Sequence, residues 1–249
     1  MMKILPSRAQ LKERRKVIGR QKRGGWEMNN LAELVEWGQA HRCDTAEAFF
    51  YRGEGFTYDE FMEQDEDRRL IVLDVFEGTY ADQGDDKPYV GLVLSSRQNM
   101  WNISWAHECQ GSSLAISTDG TYKLHFSNTQ HVSGWTLIDL GAAYTKYSRG
   151  CVRHKFLPWT YLFVRAECKE AYYKLFDVTS SMYTTFFNTD LVPAIASIDH
   201  TGYIMAALTS KWPAIRTISC YIHLKRNVRR HKHLLISNDN YDKVKGDIE

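Results

Sequence analysis

The sequence predicts an α/β protein in which a mixed sheet is flanked by helices and preceded by a small helical N-terminal segment. Three observations predict it. Short β-prone runs succeed one another from residue 70 to residue 164, a long amphipathic stretch occupies 167–187, and beyond it strand-like and helix-like segments alternate. With 249 residues and 43% hydrophobic content, the chain can bury a substantial core.

The N-terminal region, residues 1–67, reads as basic and helical, and residues 68–249 as the core. Its first two dozen residues carry Lys12, Arg14, Arg15, Lys16, Arg20, Lys22 and Arg23 against a single acid, Glu13. Gly24 and Gly25 break this segment from a helix in which Leu31, Leu34 and Val35 recur at helical spacing behind the N-cap candidates Asn29 and Asn30. Asp44 with Glu47, and Thr57 with Glu60, repeat the pattern in which an acceptor and a Glu three residues on satisfy each other's orphan amides.

From residue 70 the periodicity changes to that of strands, expected at 70–75, 89–94, 114–122, 135–142 and 157–164, with Gly84 to Pro88 as a loop. In the 167–187 helix Tyr172, Leu175, Phe176, Met182 and Phe186 line one face, away from Lys169, Glu170 and Lys174. Pro193 precedes a strand at 194–199, a helix at 203–211 stops before Pro213, a strand follows at 215–222, and a basic helix runs from Leu224. No internal repeat is visible.

No run of 18 or more apolar residues is present, and the short apolar start lacks a signal peptide's core, so neither membrane spanning nor secretion is expected. Cysteines at 43, 109, 151, 168 and 220, odd in number and scattered, suit a reducing compartment rather than a disulfide framework. A net charge of +2 conceals blocks: an acidic one through Glu63, Asp65, Glu66, Asp67 and Asp82, and a basic one from Lys211 to His233 that contains no acid. Two basic blocks on one chain point to a polyanionic partner, with solvated faces as the plainer explanation.

Two aspartates stand out. Alternation in 114–122 puts Ser117, Asp119 and Thr121 on one face, and alternation in 194–199 puts Ile195, Ser197 and Asp199 on one face, with Asp199 at the strand's carboxyl end where α/β sheets gather ligands. Each has a structural alternative: Asp119 with Gly120 is a turn signal, and Asp199 can cap the next helix. Two carboxylates brought together repel, and a hard divalent cation, magnesium or manganese, is the usual resolution. Cys220 and His223, three positions apart, form half of a zinc site at most. Lys225, Arg226, Arg229 and Arg230 surround a stripe of Leu224, Val228, Leu234 and Leu235, as phosphate ligands or as a solvated face. His231 and His233 are expected to face solvent or phosphate. Asp139 and the Asp85-Asp86 pair read as structural or loop residues, and the many tryptophans and tyrosines as core.

In order along the chain, Asp119-Gly-Thr-Tyr, the 167–187 helix, Asp199, Trp212-Pro213 and Cys220-x-x-His223 resemble the catalytic domain of Mutator-like element transposases over residues 110–235. The resemblance implies an RNase H-like fold in which a first and a fourth strand lie side by side, a layout that the 80 positions from 119 to 199 suit. It further implies an acidic triad binding two divalent ions, with Asp119 and Asp199 as its first two members, and Cys220 and His223 beside the active centre. DNA strand cleavage and transfer at transposon ends, nuclear location and homo-oligomer assembly follow from the same resemblance. In that family a helical insertion and then a Glu on a helix complete the triad. The chain reaches Glu249 first, so an incomplete site, inactive alone, is expected; Glu249 itself, a terminal residue, is expected to fray. The alternatives are a domesticated, transposase-derived DNA-binding regulator without catalysis, and a different α/β phosphatase or nuclease with two metal-binding aspartates.

Overall fold

The computed structural model describes residues 31–51, 66–124, 135–148, 150–199, 201–231 and 233. The basic N-terminal block, the pattern at Thr57 and Glu60, Lys232, and Leu234, Leu235 and Glu249 lie outside the described residues; the boundary expected near 67 borders the undescribed stretch 52–65. Two compact units divide the chain, Met1–Ala40 and His41–Glu249. The first contributes one described helix, α1 (Leu31–Ala40).

The second unit is an α/β domain around one seven-stranded mixed sheet of order β1-β2-β5-β4-β3-β6-β7. It opens with the short helix α2 (Ala46–Phe50), whose N-cap is Thr45 and not the expected Asp44: the Thr45 hydroxyl accepts the Ala48 N–H at 3.1 Å. Strands β1 (Leu70–Asp82) and β2 (Asp85–Ser96) then form an antiparallel hairpin. The loop expected at 84–88 contracts to Gln83 and Gly84, both at positive φ (55° and 94°), the twist-matched two-residue turn that lets pairing begin at once with Asp82 opposite Asp85.

Helix α3 (Arg97–Gln110) follows, capped by the Ser96 hydroxyl accepting from Asn99 N–H at 3.1 Å. The sequence reading contains no helix here. Met100, Ile103 and Ala106 are fully buried, but Trp101 and Trp105 are exposed on the opposite side, so the apolar periodicity is blurred. Arg97 is itself buried because it has work for its whole guanidinium: Nε donates to Phe49 O at 2.6 Å and Nη2 to Ala48 O and Tyr51 O, both at 3.2 Å, closing the free carbonyls at the end of α2.

An antiparallel meander comes next: β3 (Ala115–Leu124), β4 (Trp135–Ser148) and β5 (Cys151–Val164). Helix α4 (Lys169–Phe187), ended by Asn188 in the left-handed conformation, crosses to β6 (Ile195–Ile198), which pairs parallel to β3. Helix α5 (Gly202–Lys211) leads to β7 (Arg216–Ser219), parallel to β6, and then to α6 (Tyr221–Arg230). The strand expected at 215–222 therefore ends at Ser219, and the basic helix starts at Tyr221 instead of Leu224. Cys220, extended and bonded through its N–H to Ile198 O at 2.9 Å, is the last residue held by the sheet edge and becomes the N-cap of α6.

Ile116, Ile138, Leu140 and Leu162 are buried on one face of the central strands, where the Thr160 and Thr179 hydroxyls bond at 2.7 Å beneath α4. A one-residue slip of a central strand would turn these side chains to the other face, at roughly 1.5–3 kcal/mol for each lost burial. The core thus sets the register, and the register sets where Asp119 stands. Trp212 closes the bottom of α5, its indole N–H donating to Leu191 O at 3.0 Å and its ring 5.7 Å from that of Phe176. Among the described residues no helix is long and apolar enough to cross a membrane.

Candidate catalytic cleft

Ser117 on β3 lies opposite Ser197 on β6 in the parallel ladder. Two residues further along, Asp119 stands on β3 and Asp199 just past the end of β6. Both border one cleft of about 570 Å³, within the usual range of ligand sites. Thr118 and Gly120 from β3 flank Asp119 on the cleft wall, Tyr172 comes from α4, and Thr201 and Ile204 from the start of α5. The remaining side is α6, through His223, Arg226, Asn227 and Arg230.

Asp119 is 62% exposed and accepts the Gly120 N–H at 2.8 Å through Oδ1. The His223 ring stands across from it, with Nε2 at 3.8 Å from the same oxygen, an ion-pair distance when the ring is protonated. His223 Nδ1 is buried and has no hydrogen-bond partner. Asp199, half-buried, follows β6 directly, and its carbonyl accepts the Thr201 N–H at 2.8 Å as the chain turns into α5. Tyr172 is held by Glu167, which accepts its hydroxyl at 3.1 Å and that of Thr136 at 3.0 Å. Burial, with Glu167 nearby, pushes the neighbouring Tyr203 hydroxyl up from its ordinary range.

Cys220 and His223 part company in this arrangement. Cys220 caps α6 at the sheet edge while His223, one turn in, reaches the cleft. Among the described residues no cluster of three or more His, Cys, Asp or Glu side chains is arranged to hold a metal. Of the four basic residues singled out on α6, Arg226 and Arg230 line the cleft and Lys225 and Arg229 do not. His231 and His233 are exposed, and Leu224 and Val228 are half-buried.

One acidic residue gained a place that its sequence context did not suggest. Asp139 sits directly opposite Asp119 in the β3–β4 ladder, and its Oδ1 accepts the Asp119 N–H at 3.2 Å. Burial pushes its carboxyl above the ordinary range; the hydrogen bond from Asp119 works against this and the Asp119 charge adds to it. The available signal was that the strand-like runs 114–122 and 135–142 are consecutive in the sequence.

The chain matches no family model, no curated protein and no solved structure.

Proposed function

We propose that this chain carries a metal-dependent DNA transposase core of the Mutator-like type, built on an RNase H-like sheet. The observation that carries the reading is that Asp119 and Asp199, each two residues beyond the paired Ser117 and Ser197, line one cleft. The sheet order supports it too: β3 has its antiparallel hairpin partner β4 on one side and the parallel β6, fourth strand counted from β3, on the other.

The residues fit magnesium or manganese. Both donors are hard carboxylates, and magnesium is commonly held by one or two carboxylates with waters and substrate phosphate completing its shell. The exposure of Asp119 leaves that room. Bound there, the ion would supply positive charge for a phosphodiester's developing negative oxygens and a lowered pKa for attacking water. The chain's own part is to hold the two carboxylates at one cleft, to shape the wall through Tyr172 and Glu167, and to face the substrate backbone with α6. Transposon-end DNA, a nuclear location and homo-oligomer assembly accompany this reading.

A DNA-binding regulator without catalysis is the second reading. One observation favours it: among the described residues the cleft lining contains two carboxylates, Asp119 and Asp199, and no third. Both readings meet the same first test. Titration with Mn²⁺, followed by electron paramagnetic resonance or calorimetry, should show binding that weakens at least tenfold in Asp119→Asn and in Asp199→Asn. Identical titrations of the wild type and both variants would remove the metal-dependent reading and leave the regulator.

A further inference from the structure

We infer that the exposed face of α3, centred on Trp101 and Trp105, is the surface through which two copies of this chain pair about a twofold axis. It gives the homo-oligomer assembly of the reading above a place on the fold, and it depends on no metal and on no carboxylate of the cleft. The tryptophans expected in the core do not all go there: Phe50, Trp101 and Trp105 keep 44%, 45% and 40% of their surface exposed. Their rings are nonetheless held. Trp101 meets the Phe187 ring at 4.6 Å and the Phe50 ring at 6.5 Å, and Trp105 meets the Tyr144 ring at 4.7 Å, all edge-on. Aromatic side chains already fixed in place lose little further freedom on binding, and tryptophans of this kind dominate interface energetics.

The pattern along the helix indicates the partner. The exposed residues of α3 are Gln98, Trp101, Trp105, Glu108 and Cys109, which fall on one helical stripe. Glu108 is the only charge in that stripe, so it offers no cation to a polyanion and spares a second copy most like-charge repulsion. It is also self-complementary. Two antiparallel copies of α3, related by a twofold axis at the level of Ile103, set Trp101 against the partner's Trp105 and Gln98 against the partner's Glu108, each contact being made twice. Gln98 Oε1 accepts Arg68 Nε at 3.0 Å, so the amide N–H groups are what Gln98 offers to a carboxylate. Three aromatic side chains of roughly 150–250 Å² each, about two-fifths exposed, present about 200–300 Å². A standard interface takes roughly 800 Å² from each partner, with an aromatic, charge-poor centre inside a polar rim, and the patch has the size and composition of that centre.

The test is sedimentation velocity of the full chain across about 1–100 μM, the weak end for interfaces of ordinary size. The wild type should reach twice the mass of one chain. Trp101→Ala/Trp105→Ala should weaken dimerisation about thirtyfold or more, as removal of a hot-spot residue does. Two further variants probe the geometry without touching the packing: Gln98→Lys should tighten the dimer about threefold, and Gln98→Glu, facing Glu108, should loosen it by as much. A wild type that stays monomeric at the highest concentration overturns the inference. So does a dimer indifferent to the tryptophan pair, or one that Gln98→Lys and Gln98→Glu shift in the same direction. A monomer that binds a single-stranded oligonucleotide, and loses it in Trp101→Ala/Trp105→Ala, would make the face a base-stacking platform instead and equally overturn pairing. Mn²⁺ enters none of these outcomes, so the metal-dependent reading stands or falls separately.

Discussion

Asp139 Oδ1 accepts the backbone N–H of Asp119 at 3.2 Å, and the two residues are direct cross-strand partners on β3 and β4. The candidate metal ligand is therefore held by a second carboxylate behind it. Burial is the main cause of the raised Asp139 pKa, so folding favours its protonated form. The stabilisation due to that proton is fully present below the ordinary carboxylate range and is lost as pH rises through the folded value. Asp139→Asn retains an acceptor oxygen and removes the charge. It should melt above the wild type at pH 7–8, with the gap closing below about pH 4, the ordinary Asp value. Asp139→Ala, which has no acceptor for the Asp119 N–H, should melt below Asp139→Asn throughout. Melting curves from pH 3 to 8 decide the point, and an Asn variant less stable than the wild type at pH 8 would contradict it.

Thiol reactivity should separate the exposed cysteines from the buried ones, with the half-buried Cys220 between them. Cys109 and Cys151 are exposed, whereas Cys43 and Cys168 are buried and burial pushes both thiols up, Cys168 to about 11. Since the thiolate is the nucleophile, roughly one Cys168 in a thousand is reactive at pH 8. Iodoacetamide labelling read by mass spectrometry should modify Cys109 and Cys151 first, and Cys43 and Cys168 only after unfolding. Early labelling of Cys168 in folded protein would count against the packing described here.

Two glycines should respond differently to Ala. At Gly141, on the β4 bulge, a Cβ would run into the Leu157 carbonyl oxygen and approach the Phe156 ring at 2.7 Å. The backbone contact cannot be relieved by a rotamer change, so Gly141→Ala should lose about 1–3 kcal/mol, at about 2–4 °C per kcal/mol. At Gly202, the first residue of α5, a Cβ meets nothing within 4 Å. Gly202→Ala should be neutral or gain about 0.4–1 kcal/mol by restricting the unfolded chain. Denaturant melts of the two variants measure both, and a stable Gly141→Ala would refute the strand geometry around it.

Local pattern carried most of the elements. The five core β runs and the long helix were legible because alternation and the 3.6-residue period are both properties of the contiguous chain. Helix α3 was not, since Trp101 and Trp105 are exposed opposite its buried stripe. The end of β7 was misread because Tyr221 and Ile222 are as β-prone as the strand before them, and only the sheet edge at Cys220 stops the strand. Asp119 and Asp199 were visible as acids at matched positions of strand-like runs, but their meeting at one cleft depends on a crossover between parallel strands that no local pattern encodes. For the same reason Asp139 read as structural, and the basic helix showed its charges without showing that Arg226 and Arg230, rather than Arg229, turn toward the aspartates.

With magnesium or manganese present, these 249 residues should bind DNA without cutting it. In-line displacement at a phosphodiester by two ions requires ligands that hold both, roughly 4 Å apart, against the attacking and leaving oxygens. Among the described residues the cleft offers two carboxylates, Asp119 and Asp199. That set can attract one cation well, but it leaves a second without a fixed position, and a displacement of about 1 Å in such a site costs on the order of a hundredfold in rate. Glu249, the only glutamate after Asp199, lies outside the described residues. Labelled duplex DNA incubated with the wild type, Asp119→Asn, Asp199→Asn and Glu249→Gln separates the outcomes. No product above the protein-free control is expected from any of them. Cleavage abolished by the two Asp variants but not by Glu249→Gln would mean that the described carboxylates suffice, and cleavage abolished by all three would identify the terminal glutamate as the missing ligand; either result overturns the expectation.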